Sequence, residues 1–354
     1  FSNDTKYYFE KLKKIKGTKI SYLDFSVRNL QAEFIEELKN SDFLVDAIFG
    51  TGLHGSQIRG HALEIITAIN NIKHDRLHNY FIESLLKTPL KIYSVDIPSG
   101  IDSDNAKVLR AAIEADKTIT FGCKKIGIAQ YPGKKYAGKV IVVDIGIPEK
   151  YFCGYENIYE ADILWVAEKI PLREPWTYKH HVGKLLVIAG SPGFTGAAVM
   201  TCQAAMRAGA GIVTLICPWD LNNIFEIKLT EVMTYPVDQT EDLTIYVDSF
   251  TEIKKICNVY DALAIGPGLS RNPSTIRLVR EILLNIKKPT VLDADGLWAL
   301  CGPMDIKTGN DFDLSHVIVT PHPGEMASIL GVDKISLENR YYFNTEAVKK
   351  YGFI

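Results

Sequence analysis

Near the C-terminal end the stretch SHVIVTPHPGEMASIL closes an apolar, β-branched run, Val317 to Val319, with two prolines that bracket His322. Proline fixes φ and brings no amide proton, so Pro321 and Pro323 end the strand and hold the imidazole in one orientation beside Gly324 and Glu325. A lone histidine is structural more often than not, so what else reaches the same side of the sheet decides its role. Three more strands of this half leave in a similar way. KLLVIAGSPGFTGAA ends in a glycine-rich turn and opens a helix on Gly196, Ala197 and Ala198; such small residues either admit a ligand to the backbone or pack a helix tightly on a sheet. AIGPGLS exposes amides around Gly268, and TVLDADGLWAL brings Asp293 and Asp295, of which Asp293 serves equally well as a helix cap.

The first half carries a second constellation. Asp46 in VDAIFGTGLHG and Asp96 in VDIPSGID stand at the C-terminal ends of strands, the side on which open α/β sheets bind ligands. Gly50, Gly52 and Gly55 let backbone amides approach a phosphate, and Ser99 adds an oxygen. A carboxylate, a hydroxyl and carbonyls suit a hard cation. The bland reading is that each aspartate caps its own turn; two of them with glycine-rich exits favour a shared site.

These residues need sheets to hold them. Short β-rich runs alternate with helical patterns: ISYLDF, a helix near 30–39, FLVDAIFG, a helix at 61–73, then KIYSVDIP, DKTITFG and KVIVVDIG. PLREPWTYKHHVG, inside a break at about 148–183, mixes proline, charge and aromatics without period and reads as a linker. Beyond it come KLLVIAG, a helix at 195–209, GIVTLICP, EVMTYPV, ALAIGPG, a helix at 273–286, TVLDADG and HVIVTPHPGE. The expectation is two doubly wound, mostly parallel α/β domains, at residues 1–150 and 160–354, and 354 residues are enough for two cores. Both ends read as cut: the chain opens on a helix, and EAVKKYGFI closes it with a helix running into the first residues of a strand.

Lys+Arg 40 against Asp+Glu 42 leaves no basic footprint, which argues against nucleic-acid and anionic-membrane partners. The stretch from Leu185 to Cys217 is the one that suggests a membrane span, but SPG and AGAG interrupt it, so strand, helix, strand fits better. No signal peptide is visible, and the cytoplasm is the expected location. Cys123, Cys153, Cys202, Cys217, Cys257 and Cys301 form no CxxC pair and read as small core residues.

VDAIFGTGLHG, VDIPSGIDSD and TITFGCKKIGIAQYPGKKYAGKVIVVDIGIP, in that order over residues 18–148, resemble the YjeF N-terminal domain, the NAD(P)H-hydrate epimerase. The resemblance implies a Rossmann-like three-layer domain. It implies potassium held by Asp46 and Ser99, nucleotide-substrate contacts from Gly50, Thr51, Gly52, Leu53, His54, Gly55 and Ser56, and Asp96 at the reacting centre. The family's asparagine- and glycine-rich phosphate loop falls upstream of Phe1.

The four strand exits of the second half, over about 179–354, resemble the YjeF C-terminal domain, the ADP- or ATP-dependent NAD(P)H-hydrate dehydratase of the ribokinase-like superfamily. That likeness implies that His322, Pro323, Gly324 and Glu325 wall the hydrated nicotinamide, with Ala198 and Gly268 lining the same pocket. The family's GTGD motif, with its catalytic base, falls past Ile354, so the dehydratase base is not expected within this sequence. Tyr178 stands where the family carries histidine, ahead of Lys179.

The implied activity is repair of hydrated NADH and NADPH: epimerisation of the R and S forms at C6, then nucleotide-dependent dehydration of the S form. The implied cofactors are potassium, ADP or ATP, and magnesium with the nucleotide, in a homo-oligomer. A ribokinase-superfamily kinase of a vitamin precursor and a non-catalytic nucleotide-binding scaffold are the alternatives.

Overall fold

The computed structural model describes residues 3–15, 30–53, 55, 57–83, 89–151, 158–302, 314–336 and 339–354. His54, Ser56, Cys153 and the segment ISYLDF lie outside the described residues. The chain divides into two compact units, Phe1–Tyr159 and Glu160–Ile354. Each is α/β.

In the first unit α1 (Asn3–Leu12) and α2 (Leu30–Asn40) precede β1 (Phe43–Asp46), α3 (Gly60–Glu83), β2 (Lys91–Val95), β3 (Lys117–Phe121), α4 (Ile126–Ala129), α5 (Gly133–Ala137) and β4 (Lys139–Val143). The strands pair in sequence order, all parallel. Period-2 alternation turns Leu44 and Ile92 to one face, where Leu38 of α2 and Ile66, Ile69 and Ile72 of α3 close a core over them. On the other face Phe43 and Val45 are 66% and 67% exposed, and Ile141 and Val143 are partly so. α3 extends past the expected end at 73. Its polar residues are not an end signal, because Asn70 grips the 112–114 backbone (Nδ2 to Ala112 O, 2.8 Å; Glu114 N to Oδ1, 3.1 Å) and Lys73 Nζ donates to Glu114 O at 2.6 Å.

In the second unit the order is α6 (Ile163–Lys169), β5 (Lys184–Ile188), α7 (Thr195–Ala208), β6 (Ile212–Pro218), α8 (Asn222–Lys228), β7 (Met233–Val237), α9 (Phe250–Cys257), β8 (Ala262–Ile265), α10 (Pro273–Asn285), β9 (Thr290–Leu292), β10 (Val317–Val319), α11 (Pro323–Leu330) and α12 (Arg340–Tyr351). α6 falls within the stretch read as a linker; Asp162 caps it, accepting from Trp165 N at 2.8 Å, and its apolar residues stay exposed. The parallel sheet runs β10-β9-β8-β5-β6-β7. Along β5, Leu186 and Ile188 enter one core cluster and Val187 the other, so both faces are buried and the strand reads as a continuous apolar run. Leu185 to Cys217 is strand, helix, strand as expected, and no helix among the described residues is long and apolar enough to cross a membrane. Past α12, Ile354 exchanges two main-chain bonds with β10, each 2.9 Å, where a strand onset was expected.

The chain winds outward from β5 to β7, returns to β8 beside β5, and winds outward again. That reversal is a topological switch point, and doubly wound sheets open their ligand crevice there, at the strands' carboxyl ends.

Cys202, Cys217 and Cys257 are core residues, as their spacing suggested; burial pushes their thiols up, to about 12, 12 and 11. Cys123 corrects that expectation. It is exposed, in the turn that follows β3.

Candidate functional site

In the first unit Asp46, 1% exposed, closes β1. Its carboxylate accepts from Ser94 Oγ at 2.7 Å, Ser99 N at 2.8 Å, Ser99 Oγ at 2.5 Å and Ile48 N at 3.4 Å. It therefore knits the exit of β1 to the exit of β2. No cationic side chain pairs with it among the described residues, although buried carboxylates are normally paired or coordinated. Ser99, fully buried, also accepts from Phe49 N at 2.9 Å and lies 3.4 Å from Phe49 O.

The loop that leaves β1 rests on the segment that leaves β2. Gly55, at φ +63, donates its amide to Asp102 Oδ2 at 3.4 Å, and Ser103 Oγ donates to Thr51 O at 3.4 Å. The amides of residues 48, 49 and 55 are thus engaged by side chains, whereas those of Gly50, Thr51, Gly52 and Leu53 have no partner among the described residues. A Cβ built on Gly50 or Gly52 meets nothing within 4 Å among the described residues, which leaves that backbone room for a ligand.

Asp96 follows β2 in the left-handed region, φ +66, which costs a non-glycine residue about 1–3 kcal/mol and persists where the surroundings impose it. Here three donors impose it on a single oxygen: Lys125 Nζ at 2.5 Å, Thr120 Oγ1 at 3.1 Å and Phe121 N at 3.2 Å, all to Oδ1. Burial pushes the carboxyl up, but Lys125, Phe121 and Thr120 together outweigh it and hold it below the usual carboxylate range. Oδ2 has no partner among the described residues. Lys125 also donates to Thr120 Oγ1 and Phe121 O, both at 2.9 Å, so its ammonium is fully used and aimed.

Lys125 and Asp102 escaped the sequence reading. The signal for Asp102 was its place in the PSGIDSD turn; Lys125 carried none beyond the GCKKIG turn, since its meaning depends on how close β3 runs to β2.

In the second unit the exits of β5 and β8 meet at the switch point. Ser191, 1% exposed, donates Oγ to Gly268 O at 2.8 Å, and Gly190 N donates to Pro267 O at 3.2 Å. Gly268 sits at φ +68 against the start of α7, where a Cβ would come within 2.8 Å of Phe194. Next door Thr320 Oγ1 donates to Asp293 Oδ1 at 2.7 Å, and Asp295 accepts from Ser270 N at 3.0 Å. The exits of β8, β9 and β10 are thereby tied together.

Ala198 is wholly buried, in the core cluster that also holds Phe225. Its methyl is a core group; a ligand would meet only main chain there. His322 caps α11. Its Nδ1 accepts from Gly324 N at 3.0 Å and Glu325 N at 3.3 Å, while Glu325 Oε2 accepts from His322 N at 2.8 Å, a reciprocal capping box with Pro323 in the first turn. An Nδ1 that accepts leaves the ring proton on Nε2, which faces Glu325 Oε1 at 3.4 Å. The imidazole remains 68% exposed.

Residues 1–127 match the family described as YjeF-related protein N-terminus, and residues 185–354 match the family described as NAD(P)H-hydrate dehydratase. A protein of Moorella thermoacetica named a bifunctional NAD(P)H-hydrate repair enzyme is 35% identical over 87% of this chain and 56% of its own length. One of Salinibacter ruber with the same name is 33% identical over 86% and 54%. This chain thus spans about half the length of these curated relatives. Among solved structures, an ADP/ATP-dependent NAD(P)H-hydrate dehydratase from Bacillus subtilis, co-crystallised with ATP/Mg2+, is 25% identical over 54% of this chain and 62% of that one, with a TM-score of 0.40. The chain belongs to the family that joins a YjeF-related N-terminal domain to an NAD(P)H-hydrate dehydratase domain.

Proposed function

We propose that the protein repairs hydrated NADH and NADPH, the first unit epimerising the R and S forms at C6 and the second dehydrating the S form with ADP or ATP. The observation that carries this reading is the pairing of both domain families in one chain, in the order found in relatives named for that activity.

In the first unit, Gly50 to Leu53 present free amides for the dinucleotide phosphates, and Asp96 meets the reacting ring with its unshared Oδ2. A carboxylate held ionised accepts a hydrogen bond from the C6 hydroxyl and can take its proton and pass it through water to N1 as the C6–N1 bond opens; reclosure on the other face reverses the transfer and exchanges R and S. Asp46, Ser99 and Phe49 O form an oxygen donor set, and the unpaired buried charge on Asp46 fits a hard cation, which we take to be potassium. Asp46, Ser99 and Phe49 O would hold the ion, whose charge would offset that of the Asp46 carboxylate beside the Gly50 to Leu53 loop.

In the second unit, nucleotide phosphorylation of the C6 hydroxyl makes it a good leaving group, with magnesium accompanying the nucleotide. The Gly268 turn and the His322 to Glu325 cap wall the nicotinamide. His322 Nε2 is the donor it offers. The setting of this reading is a cytoplasmic homo-oligomer; sedimentation as a monomer at micromolar concentration would contradict the oligomer.

Chromatography of an R/S NADH-hydrate mixture tests the activity. The expected record is R and S interconverting without nucleotide and S disappearing into NADH only with ADP or ATP. Disappearance of ATP with a vitamin-type alcohol, the hydrates untouched, would identify a kinase instead.

A further inference from the structure

At the opposite end of the second unit's sheet from the glycine exits, where β5, β6 and β7 begin, lies a cavity of about 650 Å3. Arg173, Lys179 and Arg207 line it, and Glu231 is the one carboxylate among its described residues. Its size suits a small-molecule site.

The fold places these cations deliberately close. Gly211 lets the chain at Lys179 lie against the start of β6, since a Cβ there would come within 1.8 Å of Lys179 O. Arg207 stands in the last turn of α7, and Arg173 Nη2 donates to the C-cap carbonyl of Gly209 at 3.0 Å. The negative end of that helix accounts for this one bond and favours cations nearby. It leaves most of their donors unused. Lys179 and Arg207 have neither a hydrogen bond nor an ion pair from their side chains among the described residues, and Arg173 has only that carbonyl. Three like charges around one concavity concentrate positive potential, which an anion relieves.

We propose that this cavity binds a small organic diphosphate. Guanidinium forks match phosphoryl oxygens bidentately, the lysine adds a mobile point charge, and Met206 and Leu229 offer an apolar wall to the organic part. The site is separate from the strand exits on which the proposed repair chemistry rests.

Titration calorimetry of the whole protein with inorganic pyrophosphate tests the anion subsite. The expected result is saturable binding that weakens at least about tenfold in the Lys179→Gln/Arg207→Gln variant, each lost charge-assisted bond being enough for that. Glu231→Gln, which breaks no hydrogen bond among the described residues, should tighten binding by removing the repelling charge, a response that an electrostatically inert residue would not give. Absence of pyrophosphate binding overturns the proposal. So does binding that both variants leave unchanged, which would locate the anion elsewhere. Should the double variant fail to fold, Glu231→Gln decides alone: tightening supports the site and an unchanged affinity overturns it.

Discussion

Replacing Lys125 by methionine removes the cation that fixes Asp96 while keeping a side chain of similar length and apolar stem. The pair is 2.5 Å apart and about four-fifths buried on both sides, with exposures of 18% and 20%, so solvent screens it little. A hydrogen bond to a charged group is worth about 1.5–3 kcal/mol net, and the variant leaves Asp96 with Thr120 and Phe121 alone against its burial. The Asp96 carboxyl then moves up. In the wild type its depressed folded-state value contributes stability that is present above the ordinary carboxylate value near 4 and is lost as pH falls through the folded one. In Lys125→Met that contribution shrinks and acid unfolding sets in at higher pH. The acid limb of R/S interconversion should shift the same way, and Lys125→Arg should restore part of both. The assays are thermal melts and chromatographic epimerisation rates from about pH 2 to 8, which spans the loss below the ordinary carboxylate value. An acid limb that stays in place in Lys125→Met, in a protein that still folds, would refute the view that Lys125 keeps Asp96 ionised.

His322→Ala should cost about 0.5–2 kcal/mol in stability through loss of the α11 cap, whereas His322→Asn keeps an N-cap acceptor and should melt close to wild type while losing hydrate affinity in the second unit. Equal hydrate affinity in His322→Asn and wild type would leave the imidazole as a cap and nothing more. Asp46→Asn should abolish any difference between thermal melts in potassium and in sodium, and a difference that survives would move the cation away from Asp46. Gly268→Ala should destabilise the second unit by more than the ~1 kcal/mol of an ordinary glycine replacement, because φ is +68 and the new Cβ strikes Phe194; a melt within a degree of wild type would show that the turn relaxes freely.

The strands and most helices were legible because apolar period and glycine punctuation are local signals. Val317 to Val319 and the proline that follows are one case, and Leu185 to Cys217 is another. What failed was whatever depended on a partner distant in sequence. The helix expected at 61–73 runs on to Glu83, and Asn70 and Lys73 find their partners at the carbonyls of residues 112 and 114, far away in sequence. Lys125 looked like one of two turn lysines. The cap at α11 was legible in principle, since HPGE places proline at the first helical position and glutamate at the third; the sequence reading took the prolines as ending the strand and orienting His322, not as opening a helix. Ala198 was read from the small-residue run that opens α7, and small residues at a helix start serve ligand approach and close packing alike. Here the methyl packs.

The most direct test of the account is calorimetric titration of the protein with purified S-NADH hydrate and, separately, with NADH. The account predicts saturable binding of the hydrate and binding at least about tenfold weaker for NADH, which lacks the C6 hydroxyl that Asp96 is proposed to meet, a missing hydrogen bond to a charged group being worth that much. Indistinguishable affinity for the two, or binding of neither, would contradict it.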